Sequence, residues 1–214
     1  MKGLLIKDLK LLKNQKIFFA VMFIFAVLMA FTSGDGLFVI MYCTLLGAFF
    51  SLSTISYDEY GNGYPFLFTL PLTRRKYALE KYLFGFLTGG SIWLAATLME
   101  LLLNPQWREG TGMWLAVSVS VFLVLMAMLL VMIPVQLKFG SEKGRIFMII
   151  MVVIGIAGIQ SFLSIFKEIN LQAGITFLVG LPVGVLVALA LLVFVLAGAI
   201  SMAVSIRIVE KKEF

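Results

Sequence analysis

Apolar runs of about 18 to 20 residues, separated by short polar stretches, recur along the chain, and that is the length a helix needs to cross a hydrocarbon core of roughly 30 Å. The pattern predicts an all-α, polytopic membrane protein in which residues 1–214 form a single transmembrane domain. Its six membrane-spanning helices fall at about 17–33, 37–56, 82–103, 113–133, 146–166 and 178–206. An even number of spans puts both termini on one side. The first run follows a basic stretch as a signal peptide would, but more spans follow and no small-x-small cleavage site does, so it reads as an uncleaved span. The last run is longer than one span needs and holds Gly180, Pro182 and Gly184, which predicts a break near Pro182. Two readings stand for 167–182: a re-entrant or interfacial piece covered by protein, or the start of one tilted, kinked helix. Ahead of the first span, residues 1–16 carry Lys7, Lys10, Lys13 and Lys16, with Leu5, Leu9 and Leu12 grouped on one helical face. That is the pattern of an amphipathic helix lying in the membrane interface.

Composition sharpens this picture. With 62% hydrophobic and 13% charged residues and a mean hydropathy of +1.08, the chain lies far from ordinary soluble domains, which are roughly 45–50% apolar and about 25% charged. The 17 basic residues outnumber 11 acids, yet all except Arg108 and Lys167 fall on the side of the termini. This is the positive-inside asymmetry, so the charge sets topology and puts both termini in the cytoplasm of a cell-membrane protein. No contiguous basic patch with stacking aromatics exists outside the spans, which argues against a nucleic-acid partner. Cys43 is the one cysteine and lies within a span, so no intrachain disulfide framework is expected, and the absence of His removes the commonest metal ligand. With no phosphate-binding loop, metalloprotease motif or nucleophile elbow, and loops too short for a soluble catalytic domain, no catalytic residues, metal or cofactor are expected in this chain.

Candidate functional residues are few. Glu100 is the one ionisable side chain well inside a span, near its outer end, and reads either as part of a substrate or gating site or as an interface carboxylate reaching the headgroups. Gln160 reads as an interhelical hydrogen bond or a ligand contact. The cytoplasmic loop 57–81 carries more information. It runs from Tyr57, Asp58 and Glu59 through Gly61-Asn62-Gly63 into the apolar stretch Tyr64, Pro65, Phe66, Leu67 and Phe68, closes at Leu70-Pro71, and ends on Arg74, Arg75 and Lys76. Either it lies in the headgroups, held by its basic trio, or it is a docking element for a cytoplasmic protein.

The segments Tyr57-Asp58-Glu59, Leu70-Pro71-Leu72-Thr73-Arg74-Arg75-Lys76 and Lys81-Tyr82-Leu83 resemble the loop between spans two and three of the short ABC-2-type permeases of bacterial ATP-binding-cassette exporters. A second similar segment is the cytoplasmic loop from Pro134 to Arg145, with Lys138, Phe139-Gly140, Glu142, Lys143 and Arg145 in the family's order. Within the family the chain looks most like the permeases of Gram-positive exporters of phenol-soluble modulins and antimicrobial peptides. The resemblance implies a half-transporter in which two permease copies, identical or different, pair with cytoplasmic ATPase subunits that carry ATP and Mg. It implies an exporter of amphipathic peptides or similar cargo, with the inner faces of spans two and five as its contact surface. The loop 57–81 would carry the coupling helix, with Phe66, Leu67, Phe68 and Leu70 seated in an ATPase groove. Asp58, Glu59, Arg74, Arg75 and Lys76 would set its orientation, with Tyr64 and Pro71 in the same interface. Without the resemblance, a stand-alone secondary carrier or channel and a non-transporting assembly or immunity protein also fit the pattern. A carrier, however, would want buried charges in several spans.

Overall fold

The computed structural model describes residues 2–33, 36–60, 63–69, 72–103, 111–168 and 183–212, and among these every regular element is an α-helix. We number them α1 (Lys2–Asn14), α2 (Lys16–Ser33), α3 (Gly36–Glu59), α4 (Gly63–Thr69), α5 (Arg74–Leu103), α6 (Thr111–Glu168) and α7 (Val183–Lys211). Four stretches are long and apolar enough to cross a membrane: Gly36–Glu59, Arg74–Leu103, Thr111–Gly144 and Val187–Lys211. A fifth is reached if α1 and α2, which meet at a 65° bend, count as one broken span. The six expected spans map onto five helices, because the fourth and fifth both lie in α6.

The segment expected as a loop from Pro134 to Arg145 is helical on either side of a break at Gly140. Pro134 lacks an amide hydrogen, but the helix runs on through it, as membrane helices tolerate when neighbours re-satisfy the freed backbone group. The chain turns at Gly140, whose φ of 82° and ψ of 176° are non-helical and open to little besides glycine. Beyond that bend the Ser141 amide donates to Glu59 Oε2 at 2.6 Å, so the carboxylate at the end of α3 caps the second arm of α6. The expected loop 57–81 is also mostly helical, since α3 continues to Glu59 and α5 begins at Arg74. Thr73 starts α5, its hydroxyl accepting the Lys76 amide at 3.3 Å. The expected break near Pro182 lies outside the described residues, and α7 begins at Val183.

Helix α3 is the centre of the bundle, packed on α5 and α6, while α7 lies against α6 and α5. Small residues permit the α3–α5 approach: a methyl group at Gly47 would sit 3.2 Å from the Gly89 Cα. Ile55, Tyr77, Tyr82, Met126, Ile133 and Leu137 form the densest part of the core, toward the end that carries α4. Tyr82 ties α5 to α7 through Ser201 Oγ at 2.6 Å and Ser205 Oγ at 2.7 Å. Ile17, Phe23, Phe31, Val193 and Ile200 on α2 and α7 stay exposed. In water such faces would be a liability, whereas in lipid they are the expected outer surface.

The Gly140 bend supports a first prediction. Gly140→Ala should lower the unfolding midpoint of the detergent-solubilised chain, at a cost of about 1–3 kcal/mol, because its backbone region excludes a Cβ and that Cβ would meet the Glu59 carboxylate. Gly144→Ala, whose added carbon would find only ordinary contact with Gln136 at 3.5 Å, should leave the midpoint unchanged or raise it. Equal midpoints for the two variants would show that the bend is not held as described.

Candidate docking surface and its buried ion cluster

Seven residues make α4, too few to stand alone as a helix, so its position rests on what its inward face touches. Tyr64 and Leu67, three apart, point into the chain's own core. Phe68, half-buried, stacks on the Tyr64 ring at 6.3 Å, and both rings meet the Tyr77 ring edge-on at 5.7 and 6.0 Å. Burial, with the nearby Glu59 and Asp58 charges adding to it, pushes the Tyr64 phenol well above its ordinary range, so it remains a neutral hydroxyl.

Arg74 fastens this unit to the end of the chain. Its Nη1 donates to the carbonyls of Val209 at 3.2 Å, Glu210 at 2.9 Å and Lys212 at 2.7 Å, and its guanidinium lies 5.6 Å from the Phe68 ring centroid. A cation on the carbonyl end of α7 satisfies groups with no partner inside the helix and meets the negative end of its dipole. Lys212 reciprocates, with its ammonium 5.1 Å from the Tyr64 ring centroid and donating to the Leu137 carbonyl at 3.1 Å.

The sequence-predicted docking residues thus divide. Phe66 is 72% exposed, and Tyr60, Pro65, Thr69, Arg75 and Lys76 are exposed as well. Leu67, Phe68, Tyr64 and Arg74 are spent on internal packing and capping, and Leu70 and Pro71 lie outside the described residues. Tyr60, 86% exposed, had no signal beyond its place at the end of α3. In the second predicted segment Lys138, Glu142 and Lys143 are exposed, Gly140 and Gly144 are buried, and the Arg145 side chain lies outside what is described. Gln136 is buried there and bonds the Leu52 carbonyl at 2.9 Å and Ser56 Oγ at 2.7 Å, joining α6 to α3.

Asp58 looks inward rather than out. It is one corner of an ion cluster in which Lys81, wholly buried, holds Asp8 Oδ2 at 2.6 Å, Asp58 Oδ2 at 2.7 Å and the Thr54 hydroxyl at 3.2 Å. Lys7 pairs with the other Asp58 oxygen and lies 3.0 Å from Asp8 Oδ1. The Tyr77 hydroxyl donates to Asp58 Oδ2 at 3.1 Å, and the buried Glu80 carboxylate sits 3.7 Å from the Lys81 ammonium. Helices α1, α3 and α5 meet at this point. Asp8, Glu80 and Lys81 escaped sequence reasoning; the available signal was Asp8 itself, the one acid among the lysines of the first 16 residues.

Two further sequence candidates lie away from this end. Glu100 is fully buried inside the bundle and does not reach outward to headgroups. The Gln160 side chain lies outside what is described. Near the middle of α2, α3 and α5 an apolar cavity of about 360 Å³ is lined by residues including Phe19, Met22, Ala26, Cys43, Ile92 and Met99.

No curated protein and no solved structure matches the chain. A family model does: the one described as ABC-2 family transporter protein matches residues 3–210. That span takes in α1, the docking surface, the ion cluster and nearly all of α7, so the chain belongs to the ABC-2 family of transporter proteins, whose permeases are membrane components that work with an ATPase subunit.

Proposed function

We propose that the chain is the permease subunit of an ATP-binding-cassette exporter in the cell membrane. In this reading it has six spans and cytoplasmic termini, and two permease copies enclose the pathway while separate cytoplasmic ATPase subunits bind ATP and Mg. The observation that carries the reading is the division of α4 into two faces: Tyr64 and Leu67 are buried, while Pro65, Phe66 and Thr69 are exposed, as are Tyr60 before the helix and Arg75 and Lys76 after it. An exposed aromatic ringed by polar and charged groups is the composition of a protein-docking hot spot. Its mounting supports transmission. The inner face of α4 is packed on Tyr77 of α5 and tied by Arg74 and Lys212 to the end of α7. A push on Phe66 therefore moves α5 and α7 rather than bending a loop.

Mechanically, ATPase closure would shift the two docking surfaces, and the packed helices would follow as rigid bodies, changing which side the shared pathway faces. Cargo is amphipathic in this reading, since the cavity between α2, α3 and α5 is lined with Met, Phe, Ile and Ala and suits apolar groups without directional demands. The test is gentle detergent extraction of the tagged chain from its native membrane, mass spectrometry of what co-elutes, and an ATPase assay of the eluate. A stoichiometric ATPase with vanadate-sensitive turnover is expected. Elution without any ATPase under several mild conditions would remove the docking reading.

A further inference from the structure

The outer face of α1 differs from what the spacing of its leucines suggested. Its inward stripe is Leu4, Lys7, Asp8, Leu11 and Leu12, and Leu9 points out, 54% exposed, with Ile6 at 53%. Lys10 and Lys13 on the same helix are exposed, and so is Lys16 at the start of α2. Asp8, the one acid of this segment, is withdrawn into the core against Lys81. Its removal leaves an outer face that is basic and apolar with no negative charge, at a helix that leaves α2 at 65°.

We propose that this face binds anionic phospholipid headgroups of the leaflet it lies on, and that the ion pairs of Lys7 and Asp8 pass its occupancy to the α3–α4 corner. The first part follows from complementarity. Ile6 and Leu9 supply the shallow apolar insertion of an interfacial helix, and Lys10 and Lys13 on the same helix, with Lys16 at the start of α2, supply attraction to a negatively charged surface. A zwitterionic surface offers the insertion without the attraction, so the site distinguishes lipid charge. The second part follows from adjacency. Lys7 and Asp8 sit on the opposite side of the same short helix, and their partners are Asp58 at the end of α3 and Lys81 in α5. A helix pinned by one buried and one partly buried ion pair cannot shift or fray on its outer side without loosening them. The placement on the cytoplasmic leaflet rests on the topology proposed above, but the test needs no ATPase.

The full chain is reconstituted into nanodiscs of phosphatidylcholine alone or of phosphatidylcholine with phosphatidylglycerol, and amide hydrogen exchange is followed over residues 2–16 and 57–69. Anionic lipid should slow exchange over 2–16 on the order of tenfold and slow 57–69 with it, an effect lost at about 1 M salt, where the Debye length is about 3 Å. The exposed-face variant Lys10→Gln/Lys13→Gln/Lys16→Gln should lose the response while exchange in α6 stays as in the parent, which separates it from misfolding. Equal protection of 2–16 in both lipids overturns the lipid site. A response in 2–16 that survives the triple substitution assigns it to other residues and overturns it as well. A response confined to 2–16, absent from 57–69, overturns the transmission.

Discussion

Phe66→Asp with Arg75→Glu and Lys76→Glu should release the ATPase from the solubilised complex and abolish transport, while the permease itself inserts and unfolds as the parent does. All three side chains are exposed. A buried aromatic anchor at an interface is worth about 2 kcal/mol or more, and reversing two rim charges changes attraction to repulsion. Together they should weaken docking by well over about 30-fold. The contrast variant is Leu67→Asp, one residue along the same seven-residue helix. Leu67 packs inside the chain, so that change should lower the unfolding midpoint before it touches docking. Co-elution of the ATPase measured against the unfolding midpoint separates the two. If the triple variant retains its ATPase at parental stoichiometry, α4 is not the docking element.

That contrast also marks how far the sequence could be read. Apolar runs of membrane length are legible because lipid imposes a single requirement on every residue of a span, and α2, α3, α5 and α7 each contain most of one run. The loop 57–81 was legible as a compact element because Gly61-Asn62-Gly63, Leu70-Pro71 and Thr73 punctuate it. Which side of it faces out was not, because Phe66, Leu67 and Phe68 are chemically alike and only the position of Tyr77 and Lys212 decides among them. The α6 bend shows a different limit. Pro134 and Gly140 both read as breakers, yet the helix passes through the first and turns at the second, because Glu59 from another helix caps the amide just beyond Gly140. The pairing of Lys7 is illegible for the same reason: helical periodicity sorts residues by polarity, and a charge whose partner lies 51 positions away is invisible to it.

Lys81 is where that invisible pairing should have its largest consequence. Lys81→Met removes the ammonium that Asp8 and Asp58 share and that Glu80 faces, leaving three carboxyl groups in a buried site with only the half-exposed Lys7 opposite. Breaking a buried ion pair from one side costs about 3–5 kcal/mol, because the stranded charge loses its partner without regaining water. The variant should therefore unfold at a clearly lower temperature in detergent, with α1 the first segment to lose hydrogen-exchange protection. Removing Asp8 and Asp58 together with Lys81 is a different experiment. Lys81→Met with Asp8→Asn and Asp58→Asn strands no ion on Lys81's account, and most of the lost stability should return, since a buried pair is often no better than a neutral packing of similar volume. The recovery is non-additive by construction, and a double-mutant cycle between Asp8→Asn and Lys81→Met should give a coupling of about 0.5–3 kcal/mol. A midpoint for Lys81→Met within about 0.5 kcal/mol of the parent would mean the site is wet enough to leave these charges solvated. The joint between α1, α3 and α5 would then rest on apolar packing that includes Leu4, Ile55 and Tyr77. Partial recovery has its own reading, because after Asp8 and Asp58 are neutralised the buried Glu80 carboxylate is left without Lys81 and Lys7 is left without either aspartate.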